Sequence, residues 1–214
     1  MQQWNKKLRD AVAHLKRADS TMSQIIADVG PVALKRRRNR FWMLVASIVG
    51  QQLSPKAAHT IRTRVEKLVS STQRSAESLA RVRHDDLRAA GLSANKAAYV
   101  LELAERVMDG DLKLNNLGRL ENEKVIVELT KSRGIGRWTA EMFLIFSLGR
   151  LDVFPVDDLG VRNAIGEFYD FAETPTREDC IQVAEAWQPF QSVGSWYCWQ
   201  AIDLKRENGR HKSA

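Results

Sequence analysis

Apolar residues recur at intervals of three and four positions along nearly the whole chain, which is the spacing of one face of an α-helix. Ala58, Ile61, Val65 and Leu68 form one such series, and positions 101–108 contain another. The strict alternation of apolar and polar residues that is typical of strands is nearly absent. The pattern therefore predicts an all-α fold of about ten helices joined by short turns.

Residues that favour helix ends fall between these apolar series. Ser54 and Pro55 supply an N-cap and a first-turn proline, and residues 176–179 have the pattern of a capping box. Gly30, which is followed by a proline, ends a helix that begins near Ser20. These signals predict where individual helices begin and end.

A segment rich in glycine lies between two predicted helices, one over 123–130 and one over 140–148. Its sequence from 132 to 139 is SRGIGRWT, in which Gly134 and Gly136 flank one apolar residue. Glycines let the backbone turn tightly, so that amide groups and the N-terminus of the second helix can face an anion such as a DNA phosphate. Ordinary turns between two helices also contain glycine, so the hairpin alone does not identify a function.

Two adjacent acids, Asp157 and Asp158, stand where the next helix is expected to begin. An aspartate at this position commonly caps the helix and is stabilised by the helix dipole. Capping accounts for one of the two carboxylates. Capping does not explain the second carboxylate, which is therefore a candidate functional group.

The charge balance points to a polyanionic partner. The chain has 33 Lys and Arg residues against 26 Asp and Glu residues, which gives a net charge of +7. The basic run at 35–38 fits either a solvated loop or a phosphate contact. Since a small-molecule enzyme has no need of this excess, nucleic acid is the expected partner.

Other features limit the cofactors and the location. Two cysteines, Cys180 and Cys198, are too few for an iron–sulfur cluster or a zinc site built from four thiolates. No apolar run approaches the roughly 20 residues that span a bilayer, and the first residues lack the apolar core of a secretory signal. We therefore expect a protein that is not secreted and that acts in the cytoplasm, near the nucleoid, of a bacterium or in the nucleus of a eukaryote.

The hairpin and the acid pair occur together with other sequence blocks, so that the chain resembles the helix-hairpin-helix DNA glycosylase (HhH-GPD) superfamily from about residue 41 to residue 200. Within it, the chain is most similar to the alkylpurine branch, the 3-methyladenine DNA glycosylase II proteins. The other blocks are SIVGQQLS at 47–54, GLSANKA at 91–97, WQPFQS at 187–192 and WYCW at 196–199. One departure is Ser132 and Arg133, where the family usually has an apolar residue and a proline.

The resemblance implies a short, all-helical form of the family in one HhH-GPD domain over 1–214. It further implies a bundle of two lobes, one formed by 1–35 with 151–214 and the other by 36–150. The active-site cleft is expected between these lobes.

The resemblance also assigns roles to individual side chains. The family's catalytic aspartate matches Asp158, which leaves Asp157 as the helix cap or as a supporting residue. Trp138, Met142 and Trp199 match positions that line the pocket for the flipped base. For Trp42, Trp196 and Tyr197, packing in the core and lining of the pocket stay equally open.

Further matched positions are expected at the DNA and at a metal ion. A side chain from the turn Gln51, Gln52, Leu53 and Ser54 fills the gap that the flipped base leaves, with Gln52 at the matched wedge position. The alternative is that both glutamines simply end the preceding helix. The residues expected at DNA phosphates are Lys56, Gly134, Gly136, Arg137 and Thr139. Main-chain carbonyls of Thr130, Ser132 and Ile135 match the ligands of a structural monovalent cation.

The function that the resemblance implies is removal of alkylated purines from double-stranded DNA by a monomeric, monofunctional glycosylase that needs no cofactor. Bifunctional relatives have a lysine in the hairpin where this chain has Trp138, and that lysine forms a Schiff base with the sugar. Two alternatives are a glycosylase with lyase activity toward oxidised bases and a non-catalytic DNA-binding module. Asp158 beside an aromatic pocket argues against the module, because a protein that only binds phosphates needs neither a catalytic carboxylate nor a pocket.

Overall fold

The computed structural model describes residues 2–69 and 74–211, and within these ranges the chain forms twelve α-helices and no β-strand. The helices are α1 Gln2–Ala18, α2 Ser20–Val29, α3 Arg40–Gly50, α4 Pro55–Leu68, α5 Ala76–Ala80, α6 His84–Ala89, α7 Ala94–Met108, α8 Asn122–Thr130, α9 Arg137–Phe143, α10 Leu159–Phe168, α11 Arg177–Glu185 and α12 Gln191–His211. The all-α prediction is confirmed. The helices outnumber the expected count of about ten because segments as short as α5 and α6 contain too few residues to show a period.

The expected helix ends are confirmed where a cap defines them. The Ser54 hydroxyl caps α4 by accepting the N–H of Ala57, and Thr176 and Asp179 cap α11 reciprocally. Gly30 ends α2 with a φ of 88°. The helix expected over 140–148 differs, because α9 begins at Arg137 and residues 144–148 form a π-helical turn.

The chain divides into two units that are compact in themselves. The first unit lies within Met1–Arg36 and Gly149–Ala214, and the second unit is Arg37–Leu148. Within the described ranges, no helix combines the length and the apolar composition that crossing a lipid bilayer requires.

In the second unit, α3 packs against α4, α7 and α9. Seven of its eleven residues are buried, including Trp42, Leu44 and Ile48, so α3 is enclosed on nearly all sides. The indole of Trp42 donates to Glu66 on α4 at 3.2 Å, which satisfies its one polar atom in the core. α3 thereby sets the position of the turn at 51–54, which follows directly.

In the first unit, α2 and α10 pack against α12. Asp19 caps α2 through the Met22 amide and also accepts the Tyr169 hydroxyl at 2.6 Å and the Trp187 indole N–H at 2.8 Å. Burial, together with the hydrogen bond to Asp19, raises the pKa of Tyr169. Trp187 is fully buried and belongs to the core of this unit.

The aromatic residues of α12 extend this core. Trp196 and Tyr197 are buried, and their rings meet edge to face with centroids 4.9 Å apart. The Tyr197 hydroxyl donates to the carbonyl of Gly30, and burial raises its pKa to about 12. These contacts fix the N-terminal half of α12, and this half includes Trp199.

Candidate active site and DNA interface

Asp158 is the residue that precedes α10, and its side chain caps that helix. Its backbone is extended, with φ −71° and ψ 118°, and its Oδ1 accepts the amide N–H of Val161 at 2.9 Å. The same oxygen accepts the indole N–H of Trp199 on α12 at 2.8 Å. Because only 9% of Asp158 is exposed, its carboxylate is held in one orientation at the edge of the core.

The expectation that Asp157 caps the helix is wrong. Its carboxylate lies on the surface, with 48% of the side chain exposed, and forms an ion pair with Arg177 at the start of α11. Either aspartate could serve as a cap by residue type. The cap is set by which residue has extended backbone immediately before the first helical residue, and that residue is Asp158.

Trp199 places an aromatic ring beside this carboxylate. It is partly buried, and the residues just before it in α12 are buried. Leu159, the first residue of α10, is 68% exposed next to Asp158 and adds apolar surface that the sequence did not mark as functional. A fixed negative charge beside an aromatic ring can stabilise positive charge on a bound group.

The hairpin in the second unit joins α8 to α9 through residues 131–136. Gly134 has a φ of 80°, and a Cβ built on it would lie 2.5 Å from the ring of Tyr99, so only glycine fits there. Gly136 is the N-cap of α9, with no side-chain cap and no atom within 4 Å of its would-be Cβ. Ile135 between them is buried. The first glycine is thus required by the turn, whereas the second leaves the approach to the α9 amides open.

Arg137, expected at a phosphate, is paired with carboxylates in this structure. Its guanidinium donates to both oxygens of Glu123, and its Nε donates to Glu141 at 3.1 Å. The hydrogen bond to Glu123 raises the pKa of Arg137 and lowers that of Glu123. Thr139 is buried, so a contact with DNA there would have to come from its backbone.

The turn at 51–54 is tied to the hairpin and to α7. The Gln51 side chain donates to the carbonyl of Gly134 at 2.7 Å, and the Lys96 ammonium donates to the carbonyls of Val49 and Gln51 at 3.0 and 2.5 Å. Burial lowers the pKa of Lys96. Sequence reasoning gave neither anchoring role, because both contacts join residues more than 40 positions apart.

These anchors hold the tip of the 51–54 turn in the solvent. Gln52 is exposed and has a positive φ of 56°, which a residue other than glycine rarely adopts. Leu53 is 37% exposed, and Lys56 in the first turn of α4 is exposed as well. The structure therefore presents the expected wedge residue on a strained, anchored turn.

Trp138 and Met142, the two other residues expected to line the pocket, lie on α9 in the second unit. Trp138 is 44% exposed, whereas Met142 is buried. Lys131, the nearest lysine before the hairpin glycines, forms an ion pair with Glu128 at 2.6 Å.

The three residues expected to bind a cation lie at the end of α8 and in the hairpin. The carbonyl of Ser132 accepts the N–H of Ile135 at 3.1 Å, and its hydroxyl receives a hydrogen bond from Arg106. Across the described ranges, no cluster of three or more His, Cys, Asp or Glu side chains could hold a metal ion.

Comparison with known proteins identifies the family. Residues 45–189 match the model of the HhH-GPD superfamily base excision DNA repair proteins. The chain is 33% identical to DNA-3-methyladenine glycosylase 1 of Schizosaccharomyces pombe over 92% of this chain and 89% of that protein.

Two solved structures share the fold over most of their length. The crystal structure of a DNA-3-methyladenine glycosidase from Bacillus halodurans matches with a TM-score of 0.82 and 41% identity, over 92% of this chain and 91% of that one. The 3-methyladenine DNA glycosylase Mag1 of Schizosaccharomyces pombe, in complex with abasic DNA, matches with a TM-score of 0.80 and 32% identity, over 89% and 95%. The resemblance predicted from the hairpin and the acid pair is confirmed, and the chain belongs to the HhH-GPD superfamily of base excision DNA repair proteins.

Proposed function

We propose that this protein is a monofunctional DNA glycosylase that excises alkylated purines, such as 3-methyladenine and 7-methylguanine, from double-stranded DNA. The observation that carries the proposal is the buried carboxylate of Asp158 held against the indole of Trp199. The relatives named as 3-methyladenine glycosylases support the choice of substrate.

The reaction is hydrolysis of the bond between sugar and base. Water adds its hydroxyl to the sugar carbon, and the bonding electron pair leaves with the base, which neutralises the positive charge of an N3- or N7-alkylated purine. The second proton of water is released to solvent. Because positive charge develops on the sugar, the Asp158 carboxylate stabilises the transition state or orients the attacking water.

Recognition relies on charge and stacking. A cationic base taken out of the helix is attracted to an aromatic face, which Trp199 provides, and Trp138 and Met142 are proposed as further pocket residues. Gln52, with Leu53 beside it, is proposed to fill the vacated position in the duplex. Lys56, Arg137 and amides of the hairpin, including those near Gly134, Gly136 and Thr139, are proposed to contact phosphates.

The proposal includes no cofactor for the chemistry and one structural ion. Carbonyl oxygens suit a hard cation, and those of Thr130, Ser132 and Ile135 would hold it beside a phosphate. The ion would supply positive charge for DNA binding only. We further propose that the protein acts as a monomer on DNA inside the cell.

The test is release of free bases from methylated duplex DNA, separated by chromatography. The proposal expects 3-methyladenine and 7-methylguanine among the products, and duplex DNA with oxidised bases serves as the control. Release of oxidised bases alone would favour the bifunctional alternative, and release of no base would favour a DNA-binding module.

A further inference from the structure

Two N–H groups hold the same oxygen of Asp158, and they come from different helices. The Val161 amide belongs to α10, which Asp158 itself caps, so this bond forms whenever the helix does. The Trp199 indole comes from α12, 41 positions away in sequence. The orientation of the carboxylate therefore depends on how closely α12 can bring the indole to the start of α10.

Gly160, the second residue of α10, sets that approach. A Cβ built on it would lie 3.0 Å from Cδ1 of Trp199, 3.1 Å from Oδ1 of Asp158 and 3.4 Å from Nε1 of Trp199. Non-bonded carbon atoms prefer separations of about 3.5 to 4.0 Å, so a methyl group would push the indole away. The backbone of Gly160 is helical, and its φ does not require glycine. The close approach of the indole and of the Asp158 oxygen, and not the backbone angle, therefore disfavours a side chain here.

We propose that Gly160 is a positioning residue, which orients the Asp158 carboxylate by leaving room for the hydrogen bond from Trp199. This inference rests on the proposed catalytic role of Asp158. A side chain at 160 lengthens or breaks the indole hydrogen bond and so loosens the restraint that this bond places on the orientation of the carboxylate. The rate of base excision then falls, while the affinity for DNA stays unchanged.

The first experiment compares Gly160→Ala with Gly166→Ala in single-turnover excision of 7-methylguanine. Gly166 is a matched control, since it lies in the same helix and its would-be Cβ is also 3.0 Å from a neighbour, Cδ of Pro175. Because a hydrogen bond to a charged group contributes about 1.5–3 kcal/mol, Gly160→Ala is expected to lower the rate roughly 10- to 100-fold. Gly166→Ala should stay within about twofold of the wild type, because its neighbour has no part in the hydrogen bond.

Affinity for a duplex with an abasic-site analogue, measured on the same variants, should stay unchanged in both. Equal losses of rate in the two variants would overturn the inference, because helix packing would then explain the effect.

The second experiment is a double-mutant cycle with Trp199→Phe, which keeps a ring and removes the indole N–H. Trp199→Phe alone should lower the rate, and adding Gly160→Ala to it should cause no further loss beyond about twofold. Losses that simply multiply would show that Gly160 acts independently of the indole and would overturn the proposal. If Gly160→Ala fails to fold, as judged by circular dichroism, Trp199→Phe decides alone: a wild-type rate contradicts the inference, and a reduced rate supports it.

Two further measurements, on the wild type and on Asp158→Asn, distinguish failure of this inference from failure of the proposed function. If the wild type releases no alkylated base, or if Asp158→Asn keeps the full rate, the proposed function fails. If the wild type is active and Asp158→Asn is not, but Gly160→Ala keeps the wild-type rate, only the role of Gly160 is overturned.

Discussion

In the first unit, the buried carboxylate of Asp158 is fixed by a helix amide and an indole, which both donate to its Oδ1. In the second unit, the hairpin exposes backbone at Gly136. It also contains the guanidinium of Arg137, which is already paired with the carboxylates of Glu123 and Glu141. The first arrangement places a negative charge at a defined point, as transition-state stabilisation requires. The second offers weak, exchangeable contacts, as binding to a uniform phosphate backbone requires.

This contrast separates chemistry from binding in a testable way. Substitutions around Asp158 should change the rate constant and leave affinity for DNA nearly intact. Substitutions in the hairpin and in α4 should change affinity and its salt dependence, and leave the single-turnover rate at saturation nearly intact.

The largest effect is expected for Asp158→Asn. Asparagine caps helices as well as aspartate does, so the fold should keep its stability while the negative charge is lost. Loss of a charge-stabilising group costs on the order of 100-fold or more in rate, whereas binding to an abasic-site analogue should persist. Single-turnover excision and a binding titration on the same preparation measure the two quantities.

Asp157→Asn is the matched control for this change. It makes the same chemical substitution one position earlier, where the carboxylate forms an exposed ion pair with Arg177. Such pairs contribute little, so the rate should change less than about threefold. An inactive Asp157 variant beside an active Asp158 variant would reverse the assignment of the catalytic residue.

The next effect concerns the aromatic face. Trp199→Ala removes the hydrogen bond to Asp158 for every substrate, and it also removes the stacking surface for a cationic base. That surface contributes about 2 kcal/mol, or a further thirtyfold, for charged 7-methylguanine but not for neutral hypoxanthine. Single-turnover rates on the two lesions give the ratio, and equal losses would leave Trp199 with a positioning role alone.

A smaller effect is expected for Lys56→Gln in the second unit. If Lys56 contacts a phosphate, the slope of log Kd against log salt concentration should fall by about one unit, with little change in the saturating rate. Lys6→Gln, which removes an exposed charge paired with Asp10 in the first unit, is the control for net charge. An equal change of slope in both variants would mean that Lys56 acts only through the total charge.

The smallest effect is expected for Glu123→Gln, and it should strengthen binding. Arg137 must leave Glu123 to reach a phosphate, so removing that partner's charge should tighten DNA binding by about two- to fivefold at low salt. Glu77→Gln, in which the lost carboxylate pairs with Arg81, controls for the change of net charge. Weaker binding by the Glu123 variant would mean that Arg137 supports the hairpin and does not contact DNA.

The sequence predicted the features that depend on interactions between residues close together in the chain. The helix starts at Ser54 and Thr176 were predicted because a cap and the residue it bonds lie three positions apart. The turn at Gly134 was predicted because no other residue type adopts its φ of 80° so readily. The family followed from the order of several such segments along the chain.

Contacts between distant residues could not be predicted in this way. The bonds from Gln51 to Gly134 and from Lys96 to Val49 join residues 83 and 47 positions apart, and no local pattern marks them. The choice between Asp157 and Asp158 as cap also failed, because the two residues are chemically identical and only the backbone angles distinguish them. The π-helical turn at 144–148 went unpredicted because its residues are nearly all apolar and contain no glycine or proline.

The most direct test of the account uses one duplex with a single 7-methylguanine, treated with wild type or with Asp158→Asn. For the wild type, the strand should stay intact until alkali cleaves the abasic site, and borohydride should trap no covalent protein–DNA adduct. For Asp158→Asn, alkali should reveal almost no abasic sites over the same time. Strand cleavage without alkali, a trapped adduct, or full activity of Asp158→Asn would contradict the account.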